Sequence, residues 1–313
     1  MNQQYDDWPQ WWNEVRRQKF GSETPPRRYE ITVPSISAHT WVILDAQTGR
    51  LIWGKNEHSN REIASITKTM TAYVTIKVCE QLKIDPTQVT VSVSDYATQI
   101  GGTSSNLQEG DTLTLLDLLH GLMLPSGNDS AQAIAENFGV YLYFQSKYFQ
   151  QKIDSIDNDN NTIHVNNPAQ YFVAEMNSTA QKLGLSNTYF TNPHGLANRL
   201  NRSTAYDVSK LCYYAMKLPL FAQIVRTKEY SCTVTNLGQT RILKWENTNK
   251  LLEQGFTGIK TGVTNDAGPC LASHFISRKH SYILVVLNCN SKEQRWIDSC
   301  RLIDWVTDIY EKQ

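Results

Sequence analysis

Strand-like runs occupy both ends of this chain, and amphipathic helical patterns fill its middle. Thr40-Trp41-Val42-Ile43-Leu44 reads as a strand. Asp45-Ala46-Gln47-Thr48-Gly49 then turns, and Arg50-Leu51-Ile52-Trp53 returns as the second arm of a hairpin. Near the other end, residues 256–260, 270–276 and 282–287 are apolar runs separated by turns. Helical spacing appears at Met70, Ala72, Tyr73, Ile76 and Cys79, at Leu115–Leu122, and after Ser126-Gly127-Asn128. It resumes over 171–183 and over 204–218, where Pro219 should stop it, and over a last helix at 293–309. Strands at both ends with helices between imply one sheet built from both ends of the chain. The fold class is therefore α+β: an antiparallel sheet of about five strands flanked by helices, with a mostly helical subdomain. Residues 1–37 read as an N-terminal arm, with Pro25-Pro26 breaking regular structure. Residues 38–313 read as a single domain. Its sheet subdomain is 38–64 plus 228–313, and its helical subdomain is 65–227 with an Asn/Asp-rich polar insertion near 141–168.

Charge excludes several classes of partner. Thirty basic and thirty acidic residues cancel over 313 positions, so neither a nucleic acid nor an anionic membrane surface is implied. No run approaches the ~18 apolar residues that a membrane span needs. The N-terminus, with Asp6, Asp7, Trp8, Trp11 and Trp12, lacks the apolar core of a signal peptide, and the compartment stays open. Those tryptophans either dock the arm on the body or serve a partner. The six cysteines are scattered without a C-x-x-C pair, which argues against a zinc ribbon or a redox motif. Most of them read as buried thiols.

Chemistry concentrates in three short motifs. Ser65 stands at the start of the first helical pattern, and Lys68, three residues on, shares its face. A serine can cap a helix start. It becomes a nucleophile only beside a base, and a lysine in a dry pocket can lose its charge and serve. Ser-x-x-Lys alone is cheap, so its partners matter. Ser126-Gly127-Asn128 places a hydroxyl and a carboxamide two residues apart on a tight turn between helices. Ser104-Ser105-Asn106 matches the same pattern without a glycine. Gly258-Ile259-Lys260-Thr261-Gly262 ends an apolar strand with a cation, a hydroxyl and a glycine that lets a ligand approach the backbone. His194, in Asn192-Pro193-His194-Gly195-Leu196, is a candidate base or a loop residue.

Taken in order, Ser65–Lys68, Ser126–Asn128 and Lys260–Gly262 form the motif set of the serine β-lactamases and penicillin-binding proteins. The chain most resembles the D-alanyl-D-alanine carboxypeptidase family, over about residues 38–310. That resemblance implies a β-lactamase/transpeptidase-like fold and a serine hydrolase that cleaves D-Ala-D-Ala peptides and is inhibited by β-lactams. It implies Ser65 as nucleophile, Lys68 as base, and Ser126 as a proton relay bonded to Lys68 and Lys260. Asn128 would hold Lys68 and the substrate amide. Lys260, Thr261 and Arg295 would bind the free carboxylate beside Gly262, and the N–H groups of Ser65 and Val263 would form an oxyanion hole. No metal and no organic cofactor is called for. A β-lactamase would need a deacylating glutamate, for which Glu175-Met176-Asn177 is the only suggestive place. A non-catalytic binding protein on the same fold is the third reading. Family members are usually exported, which this N-terminus does not show.

Overall fold

The structure, a computed structural model, describes residues 32–146 and 165–311. Most of the N-terminal arm with its tryptophans, and most of the polar insertion, lie outside the described residues. The chain divides at Ser35, and every strand and helix named here belongs to the unit from Ser35 onward.

Five strands build the larger sheet: β1 (Thr40–Asp45), β2 (Leu51–Lys55), β7 (Phe256–Thr264), β8 (Gly268–Ile276) and β9 (Ser281–Leu287). They pair antiparallel in the order β2-β1-β9-β8-β7. β9, from the C-terminal third, lies beside β1, with Val42 opposite Val285. Side chains alternate between two covered faces. Val42, Leu44, Ile283, Val285 and Leu287 join the main helical core. Trp41, Ile43, Leu284 and Val286 are just as deeply buried. The final helix packs on β8 and β9, and its Trp305 meets Trp41 and Trp53 edge-on.

Strand β7 runs four residues beyond the sequence reading, through Thr264. Lys260, Thr261 and Gly262 therefore sit within the strand, opposite Ala272, Leu271 and Cys270. Continued pairing with β8 overrides the loss of apolar alternation after Ile259.

A second sheet was not legible in advance. Strands β3 (Thr90–Ser92), β4 (Thr112–Thr114), β5 (Glu229–Asn236) and β6 (Gln239–Glu246) pair in that order. The β5–β6 hairpin thus joins β3 and β4 of the helical part rather than the five-stranded sheet, with Thr112 opposite Thr235. Leu237 and Gly238 make its turn, both at positive φ, which matches the twist of two antiparallel strands.

Eight helices complete the described part: α1 (Lys68–Leu82), α2 (Asp95–Thr98), α3 (Leu115–Met123), α4 (Asn128–Gln145), α5 (Ala169–Lys182), α6 (Ala205–Met216), α7 (Pro219–Arg226) and α8 (Gln294–Glu311). Thr114 and Asp117 close a capping box on α3, and the Thr204 hydroxyl caps α6. Pro219 does end α6, but it also opens α7, at the position where a missing N–H costs nothing. All six cysteines are free thiols, five of them buried.

Candidate active site

Ser65 does not cap a helix. It lies inside a short 3-10 turn, Ala64–Thr67, that leads into α1 without a side-chain cap. Its hydroxyl is left for Lys68, whose Nζ is 3.0 Å away. Lys68 is fully buried at the first turn of α1. Its Nζ also donates to the Asn128 carboxamide oxygen at 2.6 Å and to the His194 carbonyl at 2.8 Å. All three partners are neutral. Burial pushes the Lys68 pKa well down, and the nearby Lys260 adds to the effect against a smaller opposing pull from Asp129.

The His194 loop is pressed against the nucleophile's turn. Asn192 Oδ1 accepts the N–H of Gly195 at 2.6 Å, and Thr71 Oγ1 donates to the Pro193 carbonyl at 2.6 Å. A Cβ on Gly195 would stand 2.0 Å from the Ala64 carbonyl oxygen, so only glycine fits. The His194 ring accepts the Leu196 N–H, and burial followed by the charge of Lys68 drops its pKa to about 3. It is the carbonyl of His194, not its imidazole, that meets Lys68. Sequence reasoning had no signal for a backbone ligand.

Ser126 has φ +67°, a conformation that non-glycine residues rarely hold without a compensating fold. Its hydroxyl is buried and has no hydrogen-bond partner among the described residues. The bonds to Lys68 and Lys260 that the resemblance implied are not made: Lys68 bonds Ser65, Asn128 and His194, and Lys260 donates to the Thr261 carbonyl at 3.2 Å. Nor does Ser126 cap α4, whose N-cap is Gly127.

The competing motif, Ser104-Ser105-Asn106, is the scaffold of the other one. The buried Asp129 carboxylate accepts the Ser104 hydroxyl at 2.6 Å and the N–H groups of Ser105, Leu107 and Ser130 at 2.8–3.2 Å. This loop then grips Asn128, whose Nδ2 donates to the Gly101 carbonyl at 2.6 Å and whose N–H donates to the Thr103 carbonyl at 2.8 Å. The role of Asp129 was missed because its partners Ser104, Ser105 and Leu107 lie more than twenty residues upstream.

Lys260 and Thr261 are buried on β7. Burial and the positive charge of Arg295 lower the Lys260 pKa to about 7. A Cβ on Gly262 would lie 2.9 Å from the Ile63 carbonyl and 3.1 Å from the Ser65 nitrogen, so β7 abuts the nucleophile's turn at its glycine. Val263 follows, partly exposed. Arg295, near the start of α8, reaches the carbonyls of Gly262 and Cys270 at 3.2 and 3.4 Å, and its guanidinium stacks on Trp296. Glu175 is occupied elsewhere: its carboxylate accepts Lys182 at 3.1 Å and Thr179 at 3.2 Å on the same helix.

Residues 27–142 and 164–291 match the D-alanyl-D-alanine carboxypeptidase family, Peptidase S11. The chain belongs to the D-alanyl-D-alanine carboxypeptidase family. The D-alanyl-D-alanine carboxypeptidase of Streptomyces sp. strain K15 is 32% identical over 88% of this chain and 89% of that one. DacD of Salmonella typhimurium is 29% identical, and this chain spans 63% of its length. A D-alanyl-D-alanine endopeptidase of Escherichia coli is also 29% identical, over 87% of this chain. The crystal structure of the Streptomyces K15 DD-transpeptidase superposes with a TM-score of 0.75 at 30% identity, covering 88% of this chain and 98% of that one. The α+β architecture is thus the family's own. No helix among the described residues is long and apolar enough to cross a membrane.

Proposed function

We propose that this member of the family is a serine D-Ala-D-Ala carboxypeptidase that works through an acyl-enzyme on Ser65. The observation that carries this is the buried Lys68 amine, 3.0 Å from Ser65 Oγ among neutral partners. A lysine so buried, its pKa pushed well below the ordinary value, can give up its charge and take a hydroxyl proton. Ser65 Oγ attacks the carbonyl carbon of the terminal peptide bond, and its proton passes to Lys68 Nζ. The N–H groups of Ser65 and Val263 hold the oxyanion, a contribution of about 3–4 kcal/mol per donor in such sites. As the C–N bond breaks, the Ser126 hydroxyl gives its proton to the leaving amine and regains one from Lys68. Water then attacks the ester, its proton passing to Lys68 Nζ and from there to Ser65 Oγ as the ester C–O bond breaks and the acid departs.

The substrate is a peptide ending in D-Ala-D-Ala with a free carboxylate. Lys260, Thr261 and Arg295 bind that carboxylate, Gly262 leaves room for it, and Asn128 holds the substrate amide. The unpartnered Ser126 hydroxyl supports its relay role, since it is free to bond the departing nitrogen. β-Lactams that present a similar carboxylate and amide acylate Ser65 as inhibitors. The β-lactamase alternative loses its glutamate, because Glu175 faces Lys182 and Thr179.

The test is labelling with a fluorescent penicillin, read by gel and intact mass, together with D-alanine release from a D-Ala-D-Ala peptide. A lasting single adduct on the wild type and none on Ser65→Ala is the expected result. A label that survives in Ser65→Ala would falsify the assignment. Rapid turnover of the adduct favours a β-lactamase. A folded protein with neither label nor release favours a scaffold.

A further inference from the structure

Resting on the proposed carboxylate site, the geometry points to Thr248 as a positioning residue that directs the Thr261 hydroxyl proton at the substrate carboxylate. Thr248 is exposed, and a 3-10 turn, Lys250–Gln254, carries the chain from it to β7. Its Oγ1 is 2.9 Å from the Oγ1 of buried Thr261. Each hydroxyl owns one proton. If Thr261 donates to Thr248, it has none left for a carboxylate. If Thr248 donates, the Thr261 proton is free, and its oxygen is polarised by the bond it accepts. A carboxylate is the strongest acceptor in reach of such a pair, so its arrival selects the second order: Thr248 to Thr261 to carboxylate.

The segment is built to hold Thr248 in that place. Its N–H donates to the Leu124 carbonyl at 3.0 Å, two residues before Ser126. Asn247 on one side donates to the carbonyls of Val225 and Thr227 at 3.2 and 2.9 Å. Asn249 on the other donates its N–H to Asn247 Oδ1 at 2.9 Å and accepts the Leu251 N–H at 3.2 Å. Thr248 therefore joins the Ser126 turn through its backbone and the Lys260-Thr261 strand through its side chain.

The experiment compares benzylpenicillin with its methyl ester, whose carboxylate is masked. Second-order acylation rates at Ser65 are read by intact mass for the wild type, Thr248→Val and Thr248→Ser. Thr248→Val should acylate with benzylpenicillin about tenfold more slowly, the scale of one weakened hydrogen bond to a charged group. Its rate with the ester should change less than about twofold by the same reasoning. Thr248→Ser, which keeps the hydroxyl, should retain the wild-type preference for the free acid. A parallel fall with both compounds makes Thr248 a structural brace and overturns the proposal, as does an unchanged rate with both. A Thr248→Ser that behaves like valine overturns it too. Failure of the wild type to be acylated at all strikes instead at the Ser65 reading.

Discussion

Lys68 Nζ stands 3.0 Å from Ser65 Oγ, and its remaining hydrogen bonds go to a carboxamide oxygen and a backbone carbonyl. Without an anion bonded to it, the buried amine has little to hold its proton. Arginine at this position would stay charged at any accessible pH. Lys68→Arg should therefore lower the acylation rate by about 10²–10⁴-fold, the usual span of a lost general base. Stopped-flow labelling with a fluorescent penicillin checks this. A variant within a few-fold of wild type would remove Lys68 from the proton path.

Lys260 makes a pH prediction. Its pKa is lowered to about 7, by burial first and by Arg295 second. Carboxylate binding needs the cation, so KM for a D-Ala-D-Ala peptide should rise as pH climbs through about 7. Stability follows the other way. In the folded state Lys260 loses its proton near 7, whereas the unfolded chain keeps it to about 10.5. Between those values the unfolded state binds more protons, so folding stability rises with pH. The cost of the buried lysine is full below about 7 and gone above 10.5. Urea unfolding at pH 7 and pH 9 should show the wild type gaining stability relative to Lys260→Met, by at most about 1.4 kcal/mol per pH unit. A constant difference between the two would contradict the shift.

Local spacing revealed what local spacing could reveal. Ser65 and Lys68 meet because three residues span one helical turn, and the unbroken apolar runs Val42–Leu44 and Ile283–Leu287 marked strands, which the fold buries on both faces. The β5–β6 hairpin does alternate, with Cys232, Val234, Leu243 and Trp245 turned inward, but its partners β3 and β4 are only three residues each and lie more than a hundred positions upstream. Its turn, Leu237-Gly238, lacks the usual asparagine or aspartate signal. The residues missed at the site act across the chain: His194 reaches Lys68 over 126 positions, and Asp129 reaches Ser105 over 24. Such contacts belong to the tertiary fold, and no periodicity announces them. The Ser126 reading failed in detail for a related reason. Which oxygens Lys68 bonds depends on a carbonyl supplied by the His194 loop.

Asp129 gives the last prediction. It is 1% exposed, and its carboxylate accepts from the Ser104 hydroxyl and from three backbone N–H groups. A carboxamide keeps the shape but turns its NH₂ group toward a donor. Asp129→Asn should therefore cost about 3 kcal/mol, the scale of charge-assisted bonds lost with a buried donor left unpaired. For a domain of this size that corresponds to a melting temperature lower by about 5 °C. Acylation should slow as well, because the 101–107 loop that Asp129 fastens is what holds Asn128 through Gly101 and Thr103. Thermal melting and penicillin labelling of the same preparation separate the two effects. Unchanged melting would mean that the loop keeps its place without the carboxylate. Lower melting with undiminished acylation would mean that Asn128 does not depend on the loop for its position beside Lys68.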